Sequence, residues 1–191
     1  HAIGDAAMEQ ALMTIGQEGG NLRHAIVHAQ IASAEQTMRC GAMGLVIMAQ
    51  PIFLEADIPV VELRVGKDRA HTSYRWRAMQ GAGAHVAFGT DCPVEPFDPM
   101  PNLYCAITRH GLSHHTPYLP AEAFTLDDAL YAYTAAGAYA SAEEHEKGKI
   151  APGMWADYAI FDRRLDEKEP ASLLETGVLA TSVGGSIVYS K

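Results

Sequence analysis

The sequence predicts an α/β protein built in the manner of a (β/α)₈ barrel, on three observations. Val86-Ala87-Phe88-Gly89-Thr90-Asp91 is an apolar run that ends in glycine and then a carboxylate, and Pro93 prevents the strand from continuing. Ala25-Ile26-Val27-His28-Ala29-Gln30 is a second short β-branched run, ending on an imidazole and an amide. The chain opens His1-Ala2-Ile3-Gly4-Asp5, and helix-like sequence follows. In a barrel of this class chemistry sits at the carboxyl ends of parallel strands, so polar groups there face the substrate. Two histidines and an aspartate so placed can converge on one divalent metal, and neutral imidazole with carboxylate suits zinc and its neighbours. Taken singly, Asp91 reads equally as a turn cap and His28 as a packed structural residue; three such ends in one chain favour a shared site.

The elements follow in order. Ala6, Met8, Ala11, Leu12 and Ile15 recur at helical spacing from Asp5 to about Gln17, and Gly19-Gly20 is the stop signal. After the strand at 25–30, Ser33 caps a helix with Gln36 as its capping-box partner, running to about Gly41. Leu45-Val46-Ile47-Met48-Ala49-Gln50, closed by Pro51, reads as a parallel strand covered on both faces. Two helical pieces, near Glu55 to Leu63 and near Ser73 to Gln80, fill the longer stretch that follows, with Trp76 as core and Arg75 and Arg77 as a solvated face. Beyond Asp91, Pro93, Pro96 and Pro99 make a stiff loop that walls the site.

A helix is expected from Leu103 to His110, with His110, His114 and His115 as exposed loop residues. Their spacing does not set two ligands on consecutive helical turns. Thr125 with Asp128 starts a further helix whose stripe of Leu126, Ala129, Leu130, Tyr133 and Ala136 is packing. The tail changes period: 157–162 and 178–183 are strands, and Gly184-Gly185 is a hairpin turn.

A net charge of −9, from 14 basic and 23 acidic residues, argues against a nucleic-acid or anionic-membrane surface. No apolar stretch reaches the roughly 18 residues of a membrane span. Cys40, Cys92 and Cys105 have no metal-site spacing and an odd count, which suits a reduced, cytoplasmic setting. Cys92 reads as small buried filler.

Taken together, HAIGD, HAQ, YRWR, GAGAHVAFGTD, PVEPFDP, TLDDALYAYTAAGAYAS, EKGKIAPGMWADYAIFDR and VGGSIVY resemble the metal-dependent amidohydrolase superfamily. The nearest branch is the amidohydrolase-3 group, that of the YtcJ-like and N-substituted formamide deformylase-like enzymes. The resemblance covers essentially the whole chain in the family's order, and begins in mid-barrel. It implies the C-terminal half of a (β/α)₈ barrel over residues 1–147, and over 148–191 the C-terminal strands of a small β-sandwich. A complete barrel needs roughly 200 to 250 residues or more. The early His-x-His pair and bridging lysine of such enzymes are expected from an upstream half of the same protein.

The chemistry implied is hydrolysis of a C–N bond in a small amide, formamide or cyclic amide, with one or two divalent ions, zinc foremost. His1 and His28 match the family's two later metal-ligand histidines. Asp91 matches the strand-end aspartate that contacts metal and moves the water's proton to the leaving nitrogen. Gln30 is a candidate substrate contact. Two departures stand out. Val27 occupies a place where this branch usually has glutamate, and His1, the first residue given, is expected to be frayed. The isolated chain is therefore expected to bind metal weakly and to lack useful turnover, and its open strand edges to favour self-association. The alternative is a non-catalytic fragment or regulatory relative that uses the barrel for binding or assembly.

Overall fold

A computed structural model describes residues 1–18 and 22–191; the stop signal at Gly19-Gly20 lies outside the described residues. Helix α1 (Asp5–Glu18) leads to strand β1 (Ala25–Val27), helix α2 (Ala34–Ala42) and strand β2 (Val46–Ala49). The start of α2 is the predicted capping box: the Ser33 hydroxyl accepts from the Gln36 amide at 3.1 Å, and Gln36 Oε1 accepts from the Ser33 amide at 3.0 Å.

Between β2 and the next strand, a 3-10 turn (Pro51–Phe53) and four short α-helices replace the two helices expected: α3 (Leu54–Asp57), α4 (Val61–Val65), α5 (Lys67–Ala70) and α6 (Trp76–Gly81). Pro59 separates α3 from α4, and Gly66, at φ +79°, separates α4 from α5. Trp76 is buried, as expected of core. Arg75 corrects the solvated-face reading, because it pairs at 3.2 Å with the carboxylate of Glu122, itself buried.

Strand β3 (His85–Phe88) completes a parallel sheet in the order β1-β2-β3, with Ile26 beside Ile47 and Ile47 beside Val86. Leu45, Val46, Ile47 and Ala49 are all buried, the mark of a strand covered on both faces. Helix α7 (Pro99–Thr108) starts on the Asp98 cap and ends where Arg109 turns left-handed at φ +59°, two residues short of the expected His110. His110 also departs from an exposed position, half-buried beside Tyr104 at a ring separation of 6.3 Å. Cys92, read as buried filler, is exposed.

Helix α8 (Leu126–Tyr133) begins on Thr125, whose hydroxyl accepts from Asp128 N, and Thr134 divides it from α9 (Ala135–Ala140). The tail forms one antiparallel sheet, β4 (Tyr158–Phe161), β5 (Val178–Val183) and β6 (Ser186–Ser190), in that order. Gly184 and Gly185, at φ +56° and +81°, make the two-residue turn that joins β5 to β6. Among the described residues no helix is long and apolar enough to cross a membrane.

Candidate metal centre

The sheet ladder runs one residue past β1, where the His28 amide donates to the Met48 carbonyl at 2.9 Å. The backbone then leaves the β region at once, with φ +74° at His28 and +44° at Ala29. Residues 1–3 lie along the same edge: the Ala2 amide donates to the Val27 carbonyl at 3.1 Å, and the Ile31 amide donates to the Ile3 carbonyl at 2.9 Å. His1 is therefore held rather than frayed, because the residues after it are bonded into the sheet. Its Nδ1 lies 3.1 Å from Nε2 of His28.

The other face of the His28 ring explains its orientation. Gln50 Nε2 donates to the Met48 carbonyl at 2.9 Å, which turns the amide oxygen toward His28 Nδ1, also 2.9 Å away. An amide oxygen only accepts, so the network assigns the proton to Nδ1 and leaves the Nε2 lone pair facing His1. Two nitrogens sharing a tetrahedral zinc, at Zn–N about 2.05 Å, stand about 3.3 Å apart. The observed pair suits a shared cation.

Asp91 lies three residues beyond β3 in a left-handed turn, φ +56°. It lines a cavity of about 600 Å³ together with His1, Met48, Gln50 and Phe88. Val27, at the position where the resemblance leads one to expect glutamate, presents an apolar side chain to this cavity. Asp91 and His1 line this cavity, His28 lies behind His1 outside its lining, and among the described residues the three do not close on one point. Gln30 is elsewhere: its Nε2 donates to Asp57 Oδ2 at 2.7 Å, where the Tyr74 hydroxyl also donates at 2.6 Å. Burial, reinforced by Asp57, raises the Tyr74 phenol well above its ordinary range. The left-handed residues at 28 and 29 break the alternation that would have aimed Gln30 into the cavity. Gln50 carries a legible signal of its own, since it ends an apolar run as His28 and Asp91 do, and Pro51 follows it as Pro93 follows Asp91. A larger cavity, about 880 Å³, lies between α7, α8, α9 and β4, and contains none of the strand-end polar groups.

Three parallel strands with an imidazole, an amide and a carboxylate just beyond their carboxyl ends define the class: an α/β protein with polar groups gathered at its strand ends. The chain belongs to the amidohydrolase family, whose model matches residues 1–189. It is 34% identical over 196 residues to the putative amidohydrolase YtcJ of Bacillus subtilis, covering 100% of this chain and 37% of that protein. It is 30% identical over 165 residues to the N-substituted formamide deformylase of Arthrobacter pascens, covering 86% and 30%. An uncharacterized metal-dependent hydrolase from Pyrococcus furiosus superposes with a TM-score of 0.70 at 31% identity, over 81% of this chain and 31% of that one. The chain thus spans about a third of the length of the curated relatives it matches.

Proposed function

We propose that this chain is the C-terminal part of a metal-dependent amidohydrolase that cleaves a non-peptide C–N bond in a small amide, formamide or cyclic amide. The observation that carries this reading is the hydrogen-bond chain Met48–Gln50–His28, which presents one imidazole lone pair to a second imidazole 3.1 Å away in a cavity that Asp91 also lines. His1 and His28 would hold the divalent ion, zinc foremost, and Asp91, on the wall of the same cavity as His1, is the candidate further ligand once the site is complete. When bound, such an ion lowers the pKa of a water and polarises the substrate carbonyl. Asp91 accepts the water's proton on its carboxylate and returns it to the leaving nitrogen. Val27, Met48 and Phe88 give the cavity apolar walls for the carbon skeleton of a substrate.

In this reading an upstream half of the same protein completes the ligand set and lays strands against β4–β6 to form the β-sandwich. The isolated chain would associate through its open edges and turn over little substrate.

The test is elemental analysis and N-substituted formamide hydrolysis on the complete protein. Stoichiometric metal is expected, lost in His28→Ala, while Asp91→Asn lowers kcat about 10²- to 10⁴-fold. Full metal content in His28→Ala overturns the reading and brings the non-catalytic binding role forward.

A further inference from the structure

The left-handed turn at His28 and Ala29 has no glycine to ease it, so something outside the turn holds it. The segment 72–76 crosses beneath 28–32 as a short antiparallel pair centred on the bridge between Ile31 and Ser73. The Ala32 amide donates to the Thr72 carbonyl at 3.1 Å, and the Tyr74 amide donates to the Gln30 carbonyl at 2.6 Å. In antiparallel register the next rung in this series runs from residue 76 to the carbonyl of residue 28. At Trp76, however, the backbone enters α6. The side chain supplies the rung instead: the indole Nε1–H donates to the His28 carbonyl at 2.7 Å, from a fully buried ring.

We infer that Trp76 is a positioning residue for His28, its indole N–H replacing a backbone donor to hold the carbonyl of the candidate metal ligand and so the left-handed turn that aims the imidazole. Gln50 fixes the ring's proton, and Trp76 fixes the backbone from which the ring projects. This inference rests on the metal-binding role proposed for His28.

The experiment uses the complete protein, with zinc affinity read by chelator competition. Trp76→Phe keeps an aromatic ring and removes the donor; placing 3-benzothienylalanine at position 76 removes only the N–H and preserves the fold if phenylalanine does not. Either change is expected to weaken zinc binding about 10- to 100-fold. Ala29→Gly, added to either, is expected to recover most of that loss, because glycine adopts the turn without outside support. Unchanged affinity overturns the inference, as does a loss that Ala29→Gly does not recover, since the ring then acts only through packing. His28→Ala separates the two levels: unaltered zinc affinity there sinks the metal reading. The ¹⁵N signals of the His28 ring in the metal-free protein still decide the clamp. It requires them to shift on loss of the indole N–H and to return with Ala29→Gly, and it falls if they do not move.

Discussion

Strands β2 and β6 are both rich in aliphatic residues, yet they live in different solvents. In β2, Val46, Ile47 and Ala49 are buried, whereas all five residues of β6 are exposed, Ile187 and Val188 among them. Both are held in a sheet by backbone pairing, β2 along both edges and β6 along one. The difference is what covers the faces: helices pack on the parallel sheet, and the antiparallel tail sheet has water against much of its apolar surface. Hydrogen bonding therefore shapes both sheets, but side-chain burial, at roughly 25 cal/mol per Å², concentrates its stabilisation in the parallel one.

The sharpest way to break the parallel side is at a glycine. Gly41 of α2 lies against the turn after α6, and a Cβ there would sit 2.0 Å from the Ala82 carbonyl oxygen. Gly41→Ala is expected to cost about 4 kcal/mol or more, measured by urea unfolding, because backbone must yield to backbone. Ile47→Ala, at the centre of the sheet, is expected to cost about 3 kcal/mol through lost burial and the cavity it leaves. The matching change in the tail, Ile187→Ala, is expected to stay within about 0.5 kcal/mol. A comparable loss at both sites would erase the contrast.

A finer effect depends on pH. Arg23, just before β1, forms a bidentate pair with Glu144, just after α9, and lies 4.1 Å over the Tyr139 ring, which stacks on His85 of β3. Hydrogen bonds from Arg23 hold the Glu144 carboxyl down at about 2, against an ordinary value of 4.5. The folded carboxylate binds its proton less readily than the unfolded one, so the pair's stabilisation is present above pH 4.5 and is lost as pH falls toward 2. Arg23→Gln is expected to flatten the melting temperature against pH within that window, by lowering it above pH 4.5 and converging on the parent protein as pH falls toward 2.

What could be read from the sequence was local or repeated. The Ser33–Gln36 capping box needs four residues and was correct in detail, as was the Gly184-Gly185 hairpin. Strand ends were placed, but not how the chain leaves them: Gln30 is two residues past His28, and two positive φ angles send it to Asp57 instead of the cavity. Arg75 looked like surface because Glu122 is 47 residues away and no local pattern announces a buried carboxylate. Trp76 was placed in the core correctly, yet its bond to His28 depends on two segments crossing in space. Gln50 alone among the surprises carried a legible signal, the apolar run ending at Pro51.

The strand order β1-β2-β3 has a consequence in time. Parallel neighbours cannot zip from a hairpin; each needs its crossover in place first, which makes such pairing slow compared with the roughly 1–10 μs closure of a hairpin such as β5–β6. Here spatial order equals the order of synthesis, so on the ribosome each of these strands emerges beside its neighbour already laid down, and the fast hairpin is made after all three.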